Sequence, residues 1–504
     1  MVFLKTMMRL NEHNFARKGV IIPDYPRNQI GIGIVHLGLG AFHRAHQAFY
    51  TEQVLEEEGR SDWGICGVSL RRPEVRDQMV PQGGLYSLME QDGTGNRIRI
   101  IGAVQEILFA PEDSEVVLTR MTSVQTRVVS LTVTEKGYCH DPASGNLNLE
   151  HPDIIHDLEH PFRPVSTLGY LVQALALRKE SGIPPFTTLS CDNLPENGKT
   201  LKNLVLEFAK HRDEGLAKWI QNEGAFPCSM VDRIVPATTE SDREMVSETL
   251  GCRDEAVVVT EPFSQWVIED QFVCGRPSWE KAGVEMVEDV KPFEEMKLRM
   301  LNGTHSTLAY LGFLAGFEYV ADAVLQPDFE RLLKNMMAEE IVPTLKLPRS
   351  VDLVQYQSAL LERYRNPALK HRLWQIAMDG SQKLPQRLLG TIRDRLDAGL
   401  SFPRLALAVA GWMRFVPGQD EHGRMIEIRD PLAEELRQIA KMTGMLEGKI
   451  PDPACAEPYV LGVLGQNEIF GEDLPRNPQF CGAIIDAFKM LMNQGALKSV
   501  IDVG

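Results

Sequence analysis

The chain has 504 residues, 43% hydrophobic and 24% charged, with a formal net charge of −16 at pH 7. That length exceeds one ordinary hydrophobic core, so two or three domains are expected, and the composition is that of a soluble globular protein. The acidic balance argues against nucleic-acid partners, whose phosphates need basic patches, and against anionic membrane surfaces; an anionic ligand would need a local cluster of Arg and Lys.

Residues 1 to 29 read as a short lead-in ending in the turn-rich PDYPRNQ. Its opening, MVFLKTMMRLNEHNF, lacks the apolar core of a secretory signal. The longest apolar run, near Leu405 to Met413, is too short to span a bilayer. The eight cysteines form no CxxC pair and no grouping of metal ligands. The expectation is a cytoplasmic protein without membrane contact, metal or disulfide framework, and a monomer.

IGIGIVHLGLG then breaks an apolar strand into glycines, and AFHRAHQAFYTEQVLEEEG follows with helical spacing. Strand, glycine turn and helix form the start of a dinucleotide-binding βαβ unit. Gly38 and Gly40 fit the tight turn and the close approach of a pyrophosphate, with Ala41 and Phe42 opening the helix; His43 stands where the usual fingerprint has its third glycine. A plain strand–helix turn fits the same residues. The next strand, WGICGVSL, runs into Arg71 and Arg72, where an NAD site often carries an acid. Arginines there suit a 2′-phosphate, the adenine edge or the pyrophosphate, or are simply solvated.

RIRIIGAVQEIL and TRVVSLTVTEKGYC supply further strands, the second leading into Glu135 at a strand end where α/β sheets bind ligands. FTTLSCDNLPENG is another strand, with Asn193 at the tip of its polar loop and helical stretches on either side. MVDRIVP places Asp232 and Arg233 in a loop, where a local ion pair is the simplest reading, and EPFSQWVIEDQF reads as a strand or extended arm. This alternation predicts a doubly wound α/β sheet with insertions. Near residue 285 the spacing turns helical and stays so, which divides the chain into a dinucleotide-binding domain, 1–285, and a mainly α-helical domain, 286–504.

The second domain opens on KLRMLNGTHS, with Lys297, Asn302 and His305 inside nine residues of an otherwise apolar helix. At about 100° per residue, Lys297 and His305 stand about 80° apart around the axis, and Asn302 shares a face with His305. A solvated helix edge would look similar. In a partly dry pocket, however, a lysine has lowered basicity and can exchange a proton near neutral pH, while asparagine amides can hold a developing alkoxide. A second amide would come from Asn193. The chemistry is acid–base work that needs no metal.

The ordered segments IVHLGLGAFHRAHQAFY, VSLTVTEKGYC, SCDNLPENG, MVDRIVP, EPFSQWVIEDQF and MKLRMLNGTHS resemble the polyol-specific long-chain dehydrogenases, the family of mannitol 2-dehydrogenase and fructuronate reductase. The resemblance runs from about residue 30 into the last hundred residues. It implies a Rossmann-like N-terminal domain, an all-α C-terminal domain and NAD as cofactor. It makes Lys297 the general acid/base, with Asn193, Asn302 and His305 polarising the reacting oxygen. It also sets Glu135 near the proton path and Asp232 close to nicotinamide and substrate.

NPALKHRLWQIAMDGSQKLPQRLLG looks more like the fructuronate reductase branch, since mannitol dehydrogenases carry an arginine where this chain has Gln375. Arg372, Lys383 and Arg387 bring positive charge to this stretch, and Arg372 and Lys383 are the candidates to hold a uronate carboxylate. Capping of helix ends or pairing with nearby acids would account for the same cations. The block GVSLRRPEVRDQM, in contrast, resembles the mannitol type at least as well. The expected activity is interconversion of D-mannonate and D-fructuronate with NAD(H). A mannitol or other polyol 2-dehydrogenase is the alternative enzyme, and a nicotinamide-binding regulator without turnover is the non-enzymatic one. In every case the partner is a small sugar acid or polyol.

Overall fold

A computed structural model describes residues 7–15, 19–59, 61–93, 95–141, 144–348, 351–446 and 452–504. The first six residues of the lead-in, and 16–18 within it, lie outside the described residues. The chain forms two compact units, residues 1–291 and 292–504.

The first unit is built on five parallel strands: β1 Ile32–Leu37, β2 Gly64–Ser69, β3 Val104–Phe109, β4 Val128–Leu131 and β5 Thr187–Ser190, in the order β3-β2-β1-β4-β5. Successive residues point to opposite faces. Val35, Leu37, Val129 and Leu131 pack with the helices Thr167–Glu180 and Asn197–Arg212, while Ile34, Ile65 and Val128 face Tyr50, Trp266 and Trp279. Both faces are covered, as an all-parallel sheet requires, and this is the Rossmann-like topology whose strand order reverses beside β1. The insertions form two smaller sheets. One joins Val20–Ile21, Asn96–Ile101, Tyr86–Gln91 and Val258–Thr260. The other joins Glu285–Val287, Gln265–Glu269 and β6, Ser229–Asp232. RIRIIGAVQEIL therefore serves two sheets, because it turns between Ile101 and Val104. MVDRIVP is no simple loop either: its first residues end β6, paired antiparallel with Gln265–Ile268.

β1 ends at Gly38, whose φ of +95° suits glycine, and a Cβ there would stand 2.2 Å from the Thr132 carbonyl oxygen. α1 (Ala41–Ala45) and α2 (Gln47–Glu58) follow. His43 occupies the place where a third glycine would let helix and strand approach closely. Its ring instead stacks on His36 of β1 with centroids 3.4 Å apart. His36 is held by the Ser130 hydroxyl at 2.8 Å and the Thr132 hydroxyl at 2.9 Å, whereas neither ring nitrogen of His43 has a hydrogen-bond partner.

The second unit is all helical among its described residues. A continuous helix, α3, begins at Lys291–Met296, widens into a π turn over Lys297–Asn302, returns to α over Gly303–Thr307 and widens again over Leu308–Gly312. Constant α spacing does not therefore hold here, and the 80° separation expected of Lys297 and His305 does not apply. The Leu301 carbonyl accepts from the Tyr364 hydroxyl at 2.9 Å and from Thr304 Oγ1 at 3.1 Å, supplying partners where the wider turn disturbs the regular ladder. Around α3 lie α4 (Leu353–Arg365), α5 (Leu373–Ala377), α6 (Gly380–Leu384, continuing as a π turn through Leu389), the mostly apolar α7 (Pro403–Phe415) and the long α8 (Pro478–Val503), which packs on α7. Among the described residues no helix is long and apolar enough to cross a membrane.

Burial lowers the basicity of His36 to a pKa of about 3 and holds His43 well below the ordinary value, so both stay neutral at pH 7. In the unfolded chain they titrate near 6.5. The stability this confers is complete above about pH 6.5 and is lost as pH falls toward the folded values. We expect His43→Phe, which removes no hydrogen bond, to gain about 2 kcal/mol relative to wild type on going from pH 7 to pH 5. Thermal unfolding of both proteins at the two pH values checks this; a constant difference would contradict it.

Candidate functional site

In the first unit, the turn after β1 presents Gly38, Gly40, Ala41 and Phe42. Gly40 precedes α1 without a side chain to cap it, and a Cβ on Gly40 would meet nothing closer than 3.7 Å. The helix-start N–H groups of Ala41 and Phe42 are thus left for an anion in open space. This cradle lies at the carboxyl end of β1, where the sheet order reverses, and it fits a dinucleotide pyrophosphate. Arg71 follows the end of β2, is exposed, and pairs with Asp153 at 3.2 Å, while Arg72 is also exposed.

Glu135 begins a single helical turn after β4 and is exposed; Asn193 follows β5 and is exposed. Asp192, which sequence reasoning passed over, ties these two segments together. Its carboxylate accepts from the backbone N–H groups of Val133 at 3.0 Å and Thr134 at 2.9 Å and from the Tyr138 hydroxyl at 2.9 Å. Burial nevertheless raises its pKa above the ordinary carboxylate value. Asn197, also in the PENG stretch, is buried and donates to the Ser229 and Asp192 carbonyls at 2.8 and 3.0 Å, so it fixes the loop from within. Only an acid directly before Asn193 hinted at this arrangement. Asp232 is buried at the end of β6. Arg233 is not confined to pairing with its neighbour: it reaches Glu90 at 2.6 Å and lies over the Phe49 ring.

The second unit brings Lys297, Asn302 and His305 onto α3, with Lys297 and His305 buried and Asn302 half-buried. Asn302 Oδ1 and His305 Nε2 are buried without a hydrogen-bond partner, which marks a place for a polar ligand. Gly303 allows α3 to meet the turn after α6, since a Cβ would approach the Arg387 carbonyl oxygen to 2.8 Å. Arg387 Nη1 donates to Ser306 Oγ at 3.1 Å and reaches the Asn302 carbonyl at 3.5 Å. The His305 ring leans on Tyr364 with centroids 4.5 Å apart and meets His371 edge-on at 5.4 Å. Burial first, then His371, Arg363, Arg387 and Lys297, hold the His305 pKa well below the ordinary value, so it acts as a neutral ring.

The two cations expected to hold a carboxylate have local partners. Arg372 is exposed, stands 3.6 Å from Glu318 and lies over the Tyr319 ring. Lys383 donates to the carbonyls of Met378 and Ile376, just at and beyond the C-terminus of α5. Such caps favour cations at helix C-termini. Spacing also missed one grouping in the first unit: ligand atoms of Cys139, His151 and Asp153 lie within 4.8 Å of one another. There His151 Nδ1 accepts the Asp153 N–H, Asp153 pairs with Arg71, and burial with the Asp153 charge pushes the Cys139 thiol up to about 11.

Residues 32–281 match the mannitol dehydrogenase Rossmann domain and residues 289–492 the mannitol dehydrogenase C-terminal domain. The chain belongs to the mannitol dehydrogenase family. It is an oxidoreductase. It is 48% identical to the D-mannonate oxidoreductase of Escherichia coli K12, over 95% of this chain and 97% of that one. It is equally identical to a second oxidoreductase of that organism, YeiQ, described as uncharacterized, over 95% and 96% of the two chains. The Pseudomonas fluorescens mannitol 2-dehydrogenase, solved as a ternary complex with NAD and D-mannitol, superposes with a TM-score of 0.83 at 37% identity, covering 98% of this chain and 99% of that one.

The Arg71–Asp153 pair yields a test of the adenosine end. If Arg71 faces a ribose 2′ position, Asp153→Asn releases it and should tighten NADP binding severalfold while leaving NAD nearly unchanged; Arg71→Ala should do the reverse. Fluorescence titration with both dinucleotides reads this. Equal shifts for the two would mean that Arg71 does not read the 2′ group.

Proposed function

We propose that the protein interconverts D-mannonate and D-fructuronate with NAD(H), using lysine acid–base chemistry rather than a metal. The observation that carries this reading is the buried turn of Lys297, Asn302 and His305, set among Arg363, His371 and Arg387. No carboxylate is among the groups that chiefly perturb His305. Such surroundings suit an anionic substrate, and the 48% identity to a D-mannonate oxidoreductase supports the same substrate class. A nicotinamide-binding regulator would have no need of the complete set of Lys297, Asn193, Asn302 and His305. The polyol alternative has one observation in its favour: Arg372 and Lys383 are engaged locally.

NAD, when bound, accepts hydride from the carbinol carbon or, as NADH, returns it to the keto carbon. Gly38, Gly40, Ala41 and Phe42 would hold its pyrophosphate, with Arg71 toward the adenosine and Glu135 toward the proton path. Lys297 Nζ takes the hydroxyl proton on oxidation and gives it back on reduction. The Asn302 amide donates to the oxygen as negative charge develops, and family resemblance gives Asn193 the second donation. Neutral His305 orients the same oxygen through Nε2, and Asp232 accepts from a substrate hydroxyl.

The test is a rate screen of purified protein on mannonate, mannitol, arabinitol and altronate with each nicotinamide cofactor, repeated with Lys297→Ala. We expect the highest kcat/KM on mannonate with NAD, and a loss of about 10²–10⁴-fold in kcat for the variant with cofactor binding retained. Outright preference for mannitol would replace the substrate, and near-normal turnover of the variant would remove the mechanism.

A further inference from the structure

Arg387, at the end of the DGSQKLPQR stretch, is drawn to the proposed catalytic turn. Arg372 is exposed beside Glu318, and Lys383 caps α5. Arg387 instead sends Nη1 to Ser306 Oγ and toward the Asn302 carbonyl, both on the turn that carries Asn302 and His305. Its Nε and Nη2 groups have no acceptor among the described residues, and no carboxylate there pairs with it. Burial lowers its pKa, and the charged or ionisable groups that oppose this are only the phenols of Tyr310 and Tyr364. The guanidinium is half-buried with no carboxylate partner among the described residues, and its unbonded Nε and Nη2 stay accessible to a ligand. Its free edge, Nε with Nη2, is the edge that takes a carboxylate by two parallel hydrogen bonds.

We propose that Arg387 is the specificity-determining residue that receives the substrate carboxylate, in place of Arg372 and Lys383. This rests on the uronate reading given above and assigns its charge recognition to one side chain. The bond to Ser306 fixes the guanidinium through Nη1 and leaves the opposite edge for the ligand. The carboxylate of a six-carbon sugar acid lies several carbons from the reacting carbon, so it needs a holder apart from the amides on the reacting oxygen. Lys297 and Arg363 add positive charge beside His305, which lies on the same turn.

The experiment compares kcat/KM for mannonate with that for mannitol in wild type, Arg387→Gln, Arg387→Lys and Arg372→Ala. Far-UV circular dichroism and NADH binding verify each protein. A charge-assisted bidentate contact corresponds to about 10- to 100-fold. The mannonate-to-mannitol ratio should therefore fall by about that factor in Arg387→Gln, mainly through KM, and by less in Arg387→Lys, which keeps charge but not the fork. Equal losses on both substrates in both Arg387 variants would overturn the assignment while leaving the uronate reading intact. So would a larger fall in the ratio for Arg372→Ala than for Arg387→Gln. A wild type that prefers mannitol would overturn the uronate reading itself, and this assignment with it.

Discussion

The constraint on which the second unit depends is the burial of Lys297 and His305 on one stretch of α3, with half-buried His371 and Arg387 beside them. Burial, His371, Arg363, Arg387 and Lys297 each disfavour the charged form of His305. Removing cations from water is unfavourable unless hydrogen bonds or an anion compensate. Ser306 Oγ and the Asn302 carbonyl accept from Arg387, and separately the Tyr364 hydroxyl donates to the opened carbonyl of Leu301. Asn302 Oδ1, an acceptor, and His305 Nε2 are buried without a hydrogen-bond partner and mark a place for a polar ligand group. Burial and the neighbouring basic side chains together keep His305 neutral.

The π turns serve that arrangement. A regular α-helix would satisfy every carbonyl internally and return side chains to a face every three or four residues. Widening at Lys297–Asn302 breaks this register within the segment that carries the proposed acid/base, and such turns occur often at functional sites. Thr304, Tyr364 and the close approach permitted by Gly303 hold the widened segment against its neighbours. The first unit uses rigidity of a different kind. Asp192 and Asn197 fasten the loops after β4 and β5 through backbone hydrogen bonds, so that exposed Glu135 and Asn193 stand on anchored segments.

Much of this was legible in the sequence because it rests on local rules. Alternation of strand and helix, the glycine break at Gly38 and the shift to helical spacing near residue 285 reveal the α/β unit, its turn and the helical unit after it. The polar positions of KLRMLNGTHS stood out because apolar residues surround them. What could not be read depends on contacts between distant residues. Nothing in GAFHRAHQ announces that His43 stacks on His36, and no spacing shows a π turn held by Tyr364, sixty residues onward. In the sequence Arg372, Lys383 and Arg387 all bring positive charge to NPALKHRLWQIAMDGSQKLPQRLLG, and Arg372 and Lys383 are the expected carboxylate holders. Only packing separates Lys383 at a helix end and Arg372 beside Glu318 from Arg387 against Ser306.

The central claim is that buried Lys297 is the proton carrier. It is tested most directly by the pH dependence of kcat/KM for substrate oxidation by the wild-type protein. Lys297 is buried, and burial disfavours the protonated amine. The account therefore predicts a rate that rises with pH through a single ionisation below the ordinary lysine value of about 10.4 and then levels off. A rate that does not change between pH 6 and pH 9, or one that rises only at or above the ordinary lysine value, would contradict it.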